Sequence, residues 1–233
     1  YTSTFLSDTN RAAQAWIFDM YQTFPNVANG KHYWSISWIP NDLRKELDTN
    51  DINLFPKWQI PLLKTFMAMS PAIQQAPSSE AAWWATKLLI ASCKDLSLIS
   101  VWSPSYALNL AEEIFQDRKE ISVALKNRSW GPFEKELSEF RPFFRSDFPN
   151  HLTELKSFTQ EVWPQLKLLS CWDSGPSARL ADDLKSIFPH VTLQGKGLWA
   201  TEGVVTIPWQ GKFPLAIRSH FYEFKCLATD HIL

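Results

Sequence analysis

The chain has 233 residues, of which 45% are hydrophobic and 20% charged, and its formal net charge at pH 7 is -1. This length suffices for one well-buried domain or a small pair, and the composition is that of a soluble globular protein. The balanced charge gives no electrostatic case for binding nucleic acid or an anionic membrane surface. We therefore expect neither nucleic acid nor a membrane among its partners.

The cysteines indicate the cellular location of the protein, and the chain ends indicate whether the sequence is a fragment. Cys93, Cys171 and Cys226 form no CxxC pair, and an odd number leaves one unpaired, so buried free thiols in a reducing compartment are the simplest account. No signal peptide is recognisable, and no apolar run reaches the roughly 18 residues of a membrane-spanning helix. These features predict a cytoplasmic protein. Because the first residue is Tyr1 and the last segment is strand-like, we expect a fragment.

Apolar periodicity predicts helices and strands that alternate along the chain. Helices are predicted where apolar residues recur every three or four positions, and strands where short apolar runs occur. Ser103-Pro104 is a typical helix start, since serine can cap a backbone N–H and proline fits the first turn. In chain order the predicted elements are a helix over Tyr1–Phe24, a strand over Lys31–Trp38, a polar excursion with one short helix over Asn41–Gln75, a helix over Ser78–Cys93, a strand over Leu96–Trp102, a helix from Ser103, a strand over Leu166–Trp172, a helix ending before Pro189, and strands from Val191 and over Val204–Trp209.

The order of these elements predicts an α/β fold with a mostly parallel sheet flanked by helices. Strands joined in this way imply right-handed crossovers, and the loops that follow them lie at one edge of the sheet. We therefore expect Asp173–Ser177 and Gly197–Glu202 to be neighbours, at an edge where open α/β folds bind ligands. The charged stretches Glu112–Lys126 and Glu134–Lys156 are expected to be solvated faces.

The strongest functional pattern lies in Leu193–Trp209, LQGKGLWATEGVVTIPW. This stretch holds three of the seven glycines, and glycine serves where φ is positive or where backbone must approach another group. Glu202 stands between the Thr201 hydroxyl and Gly203, so the turn presents a hydrogen-bond donor and a charged acceptor. One alternative is an ordinary turn with a solvated Glu202. A dinucleotide site of the GxGxxA type is excluded, because a strand-like run rather than a helix follows.

The sequence KGLWATEGVVTIP resembles the adenine- and magnesium-contacting motif of the acyl-adenylate-forming superfamily. More narrowly, it resembles bacterial relatives of the auxin-responsive acyl acid amido synthetases. The resemblance makes residues 1–233 a fragment of the N-terminal adenylation domain, lacking the phosphate loop and the C-terminal domain. Five further segments resemble the family in the same order: YTSTFLSD at the start, YWSIS at Tyr33–Ser37, VWSPSY at Val101–Tyr106, WPQLKLLSCWDSG at Trp163–Gly175 and FPLAIRSHFYEF at Phe213–Phe224.

The resemblance implies a ligase that activates a carboxylic acid with ATP, giving an acyl-adenylate and pyrophosphate, and then transfers the acyl group to an amine. The implied cofactors are ATP and Mg²⁺, and the implied partners are a small carboxylic acid and an amine, expected to be an amino acid. The fragment alone is expected to be inactive. The alternative is a non-catalytic nucleotide- or acyl-binding module derived from the same fold.

The resemblance also implies roles for individual residues. Glu202 is the implied magnesium ligand and Thr201 the implied phosphate contact, and these two are the implied catalytic residues. The WDSG loop is the implied adenine contact, because small residues let a flat base approach the backbone, although Asp-Ser-Gly-Pro is equally good turn chemistry. The implied nucleotide-binding residues are Ser174, Gly175, Pro176, Gly197, Trp199, Ala200, Thr201 and Glu202.

One position departs from the family. The family has an aromatic residue four positions before the glutamate of this motif. The corresponding residue here is Leu198, and Trp199 follows it, so stacking on adenine is expected to be weaker or to use another side chain.

No HExxH, GxSxG or Cys/His ligand cluster occurs, and the five scattered histidines are not expected to be catalytic bases. Four residues at predicted strand ends are weaker candidates for the acyl pocket, with core packing or helix capping as the alternative: Trp34, Ser35, Trp102 and Ser103.

Overall fold

A four-stranded parallel sheet forms the centre of the larger of two units. The computed structural model describes residues 3–35, 38–40, 42, 65–69, 71–140, 144–200, 202–229 and 231. The larger unit comprises Phe24–Gly195, and the smaller unit combines Tyr1–Thr23 with Lys196–Leu233. Within the described ranges, none of the helices combines the length and the hydropathy that a bilayer-spanning segment requires.

The strands of the parallel sheet follow one another in space as they do in sequence. β2 and β3 are buried along their whole length, which explains their continuous apolar sequences, whereas β4 at the edge is partly exposed. The mostly parallel α/β fold predicted from the alternation of elements is therefore confirmed. In order across the sheet, the strands are β1 (Lys31–Trp34), β2 (Leu96–Ser100), β3 (Leu168–Cys171) and β4 (Thr192–Gly195).

Helices flank the sheet, and serine caps begin two of them; the sequence predicted the cap at Ser103 but not the one at Ser78. Ser78 Oγ accepts a hydrogen bond from the Ala81 amide at 3.1 Å, and Ser103 Oγ accepts one from the Ser105 amide at 3.3 Å. The α-helices of the described chain are α1 (Ser3–Thr23), α2 (Ser79–Ser92), α3 (Pro104–Gln116), α4 (Arg118–Asn127), α5 (Leu155–Val162) and α6 (Ala178–Ile187), and the 3₁₀ helices are Pro25–Asn29, Pro71–Gln75, Gly131–Phe133 and Gly175–Ser177.

The smaller unit is built on α1. A short antiparallel hairpin of β5 (Trp199–Ala200) and β6 (Gly203–Val204) accompanies it, and β6 packs against the helix. Buried Asp19 of α1 accepts a hydrogen bond from the Gln210 amide at 2.9 Å, and Arg11 Nε donates to the Arg218 carbonyl at 3.0 Å. The segment that follows the hairpin is therefore tied to the helix, although the two are far apart in sequence.

Several sequence expectations need correction. The predicted strand Val204–Trp209 is broken: β6 ends at Val204, and only isolated bridges, from Thr206 to Leu215 and from Trp209 to Lys212, continue it. The strand predicted over Lys31–Trp38 ends at Trp34. Most of the excursion predicted over Asn41–Gln75 lies outside the described residues. All three cysteines are free thiols, but only Cys171 is buried, whereas burial was expected for all three.

Arg145 departs from the expected solvated face of Glu134–Lys156. It is only 5% exposed. Its Nη1 donates to the carbonyls of Ala91 at 2.8 Å and Val162 at 2.9 Å, and its Nε donates to Asp147 at 3.1 Å. Ala91 and Val162 lie in the last turns of α2 and α5, where carbonyls lack a partner within the helix. The guanidinium is therefore buried because it satisfies two helix ends at once.

A fall in pH is expected to destabilise the larger unit through His32. Burial lowers the pKa of this imidazole below its ordinary value, and Nε2 donates to the Val27 carbonyl at 2.9 Å. Below a pH of about 6.5 the unfolded chain is protonated at this position before the folded chain, so the unfolded state binds more protons and stability falls. Urea unfolding at about pH 7.5 and 5.5 measures this loss.

His32→Gln is expected to lose less stability than the wild type over that pH range, whereas His151→Gln, at an exposed position, is expected to behave like the wild type. His190 contributes in the same direction as His32, because burial also lowers its pKa. An unchanged pH dependence in His32→Gln contradicts the assignment.

Candidate functional site

Glu202 lies at the turn of the β5–β6 hairpin, which belongs to a separate antiparallel sheet and not to the edge of the parallel one. Ala200 pairs with Gly203, so the connection consists of residues 201 and 202. Glu202 is exposed, and within the described chain its carboxylate has no hydrogen bond or ion pair. The predicted phosphate contact, Thr201, lies outside the described residues. The geometry therefore leaves the Glu202 carboxylate available to a ligand.

The backbone that leads into this hairpin depends on Gly197. Its φ is 76°, and a Cβ at this position would lie 2.6 Å from the carbonyl oxygen of Thr206. The Leu198 amide donates to Thr206 Oγ1 at 2.8 Å, and the Val205 amide donates to the Leu198 carbonyl at 2.9 Å. The chain on either side of the hairpin is thus drawn together at a point where only glycine fits without strain.

Trp199, a predicted nucleotide contact, is held by its own unit. Its indole N–H donates to the Lys196 carbonyl at 2.9 Å, and its ring meets Trp16 of α1 edge to face with 6.0 Å between centroids. The Lys196 side chain is buried, with Nζ 4.1 Å from the centre of the Trp16 ring. Leu198 is 57% exposed, so it is more accessible to a ligand than the half-buried Trp199.

The predicted adenine loop, WDSG, directly follows β3 in the larger unit. Ser174, Gly175 and Pro176 are all exposed, and Gly175 has a φ of 56° with open space around its α-carbon. The loop closes as a 3₁₀ turn, in which the Ser177 amide donates to the Ser174 carbonyl at 3.2 Å, and it leads directly into α6. It therefore combines good turn chemistry with accessible backbone. The expected proximity of Asp173–Ser177 to Gly197–Glu202 stays a prediction.

The four candidates for the acyl pocket lie at the carboxyl ends of neighbouring strands. Trp34 ends β1, and the Ser35 amide donates to the Ser100 carbonyl at 3.0 Å. Trp102 follows β2, and its ring lies 5.5 Å from that of Trp172, which follows β3. Ser103 acts as the cap of α3, which confirms capping as one role for this residue. The sheet thus brings all four to one edge, while their part in binding stays a prediction.

Asp173 is a residue of this edge that sequence reasoning did not select. Its carboxylate lies so close to the α-carbon of Gly195 in β4 that a Cβ there would overlap it. The carboxylate is half-buried and has no hydrogen bond or ion pair among the described residues. The available signal was Gly195 itself, a glycine at the end of a strand, which often marks the close approach of another group.

Gly195→Ala is expected to push the Asp173 carboxylate aside and to destabilise the protein by about 1 kcal/mol, because overfilling a packed position costs energy but a carboxylate can rotate. In an Asp173→Ala background the added methyl group has room, and the cost is expected to disappear. Urea unfolding of both single variants and the double variant measures this coupling. Equal costs in the two backgrounds would show that something other than Asp173 occupies the space.

The side chains that most often bind metals are not clustered in the part of the chain that the structure describes. No group of three or more His, Cys, Asp and Glu in these ranges is placed to hold an ion.

The sheet, its flanking helices and their order define an α/β fold with a mostly parallel sheet. Among solved structures, the chain is similar to "GH3.15 acyl acid amido synthetase", with a TM-score of 0.67 and 11% identity over 89% of this chain and 40% of that one. It is also similar to "AtGH3.15 acyl acid amido synthetase in complex with 2,4-DB", with a TM-score of 0.65 and 11% identity over 89% of this chain and 39% of that one.

The likeness confirms the fold that the sequence resemblance implies, while kinship with the bacterial members stays a prediction. The chain spans about 40% of the length of the solved structures that it matches. No protein-family model and no curated protein sequence matches it.

Proposed function

We propose that this chain is part of the N-terminal adenylation domain of an ATP-dependent ligase. The ligase activates a small carboxylic acid as an acyl-adenylate and transfers the acyl group to an amine, which we take to be an amino acid. The observation that carries the proposal is the accessible Glu202 carboxylate, at the hairpin turn of a chain with the fold of acyl acid amido synthetases. The free thiols support a reducing location, for which we propose the cytoplasm.

Adenylation brings two anions together, because a carboxylate oxygen attacks the α-phosphate and pyrophosphate leaves. Fixed groups must offset this charge. Mg²⁺ suits a site with one protein carboxylate, since it is usually held by one or two carboxylates together with phosphate oxygens and water. Glu202 fits this role, because it is exposed and has no competing partner within the described chain. When bound, Mg²⁺ neutralises phosphate charge and orients the nucleotide.

The other residues are proposed to bind and orient the reactants. Thr201 donates its hydroxyl hydrogen to a phosphate oxygen. In the larger unit, Ser174, Gly175 and Pro176 contact the adenine through their exposed backbone. In the smaller unit, the nucleotide contacts are Gly197, Trp199, Ala200 and Glu202. At the carboxyl edge of the parallel sheet, the acyl group is held by Trp34, Ser35, Trp102 and Ser103.

Pyrophosphate release by the complete protein tests this proposal. With ATP and Mg²⁺, a panel of carboxylic acids is expected to include at least one that drives pyrophosphate release. Adding amino acids is then expected to convert that acid into an amide, detected by mass spectrometry. Chelation of Mg²⁺ by EDTA is expected to abolish both signals. Nucleotide binding without pyrophosphate release from any acid would support the non-catalytic binding module instead.

A further inference from the structure

His220 packs directly on the glycine that follows Glu202. A Cβ built on Gly203 would lie 2.9 Å from His220 Cδ2 and 3.0 Å from Nε2. The same imidazole meets the ring of Phe5 from α1 edge to face, with 5.4 Å between centroids. His220 therefore contacts both α1 and the Glu202 turn, and all of these residues belong to the smaller unit.

The orientation of this imidazole is determined by a hydrogen-bonded chain. Its Nδ1 lies 3.1 Å from Ser219 Oγ, and Ser219 Oγ lies 2.6 Å from the Ala216 carbonyl oxygen. The serine hydroxyl has one hydrogen, and the carbonyl can only accept, so we assign the Ser219 donor to Ala216. Ser219 then accepts from His220 Nδ1–H. In the neutral ring the lone pair is therefore on Nε2, which lies with Cδ2 on the side of the ring nearest Gly203.

The segment that carries His220 is also bonded to the strand that leaves the turn. The Ala216 amide donates to the Val205 carbonyl at 2.9 Å, and the Tyr222 hydroxyl donates to the Val204 carbonyl. Both ends of this segment are thus attached to Val204 and Val205, the two residues that follow Gly203. The chain on either side of His220 is consequently fixed to the strand that begins at Gly203.

Packing alone gives no reason for a histidine at this position. His220 Nε2 is buried without a hydrogen-bond partner in the described chain. A buried acceptor with no donor costs stability, so packing alone would favour an apolar side chain at this position. What histidine adds is the Nδ1–H bond to Ser219, which fixes the plane of the ring on Gly203.

We propose that His220 is a positioning residue that sets the orientation of the Glu202 turn for the adenylation step. The inference rests on the proposed function, since it assigns to His220 the support of that same site. The imidazole occupies the space over Gly203, and its bond to Ser219 keeps it there. Glu202 then keeps a fixed direction without a partner for its own carboxylate.

Adenylation kinetics of the complete protein test this role. His220→Ala is expected to lower kcat/KM by about 10- to 100-fold, the range for losing a group that orients a metal ligand. In a Glu202→Ala background the same change is expected to have almost no further effect, because its influence passes through Glu202. His220→Asn, which can still donate to Ser219, is expected to recover most of the activity, whereas His220→Phe is not. His151→Ala is the control.

Amide hydrogen exchange of residues 199–206 provides a second readout that does not depend on activity. Exchange is expected to be faster in His220→Ala than in the wild type, while α2 in the other unit is unchanged. Unchanged exchange, full activity, or an equal loss of activity in the Glu202→Ala background would overturn the inference. If the wild type proves inactive with every acid, the proposed function fails, and exchange alone then decides whether His220 orders the turn.

Discussion

Replacing Glu202 by alanine is expected to lower ATP-dependent adenylation by the complete protein about a hundredfold, the scale for losing one electrostatic group that acts on the transition state. Stability should be unaffected, because Glu202 is exposed and its carboxylate has no partner in the described chain. Pyrophosphate release, measured with saturating acid and varied Mg²⁺, reports the effect. A raised Mg²⁺ requirement would agree with a role as metal ligand.

Glu223→Ala provides the matched control. Glu223 is also exposed, carries the same charge and belongs to the same unit, but it lies away from the hairpin turn in sequence. The control is expected to retain wild-type turnover and an identical unfolding midpoint. If Glu202→Ala turns over every competent acid at the wild-type rate, Glu202 has no part in the mechanism, and an ordinary turn with a solvated glutamate is the correct interpretation.

Gly197→Ala is expected to be the most destabilising substitution near the site. Two costs combine at this position. A non-glycine residue with φ near 76° costs about 1 to 2 kcal/mol, and the clash of its Cβ with the Thr206 carbonyl adds about 1 to 3 kcal/mol. The clash is with backbone, which cannot rotate away as a side chain can. We therefore expect a large fall in the unfolding midpoint together with loss of nucleotide binding.

Gly211→Ala separates the two costs. Gly211 has a similar φ of 73°, but nothing lies within 4 Å of the position that a Cβ would occupy. It is therefore expected to lose only the backbone part, about 1 to 2 kcal/mol. The difference between the two variants in urea unfolding measures the contact with Thr206. Equal losses would mean that the approach of Thr206 to Gly197 does not constrain the hairpin.

Gly197 and His220 support the Glu202 turn in different ways, so substitutions at the two positions are expected to have different effects. Gly197 allows the chain to close before the turn, so changing it is expected to disorder the whole hairpin. His220 acts on Gly203 after the turn, so changing it is expected to leave the hairpin formed but misdirect Glu202. Comparing kcat/KM with the unfolding midpoint across both variants distinguishes a site that is lost from a site that is present but poorly oriented.

The sequence by itself determined the α/β fold, whereas the candidate site residues were taken from the resemblance to a family and stay predictions. Strands such as β2 and β3 are buried on both faces, so their continuous apolar runs are visible locally, and the serine caps of α2 and α3 act within a few residues. The exposed Ser174–Pro176 loop likewise follows from local turn chemistry. These features depend on neighbours in sequence, which is why periodicity and composition were sufficient to predict them.

Only the tertiary structure decided what surrounds those residues. It showed that Glu202 belongs to a separate antiparallel hairpin, that Arg145 is buried between two helix ends, and that particular side chains lie over Gly195 and Gly203. His220 is 17 residues from Gly203, and the family-like segment Phe213–Phe224 that contains it does not indicate which residue the imidazole contacts. Its position follows from packing between distant segments, and neither local periodicity nor residue type carries that information. The physical reason is that a glycine in the sequence can indicate the close approach of another group, but it does not identify that group.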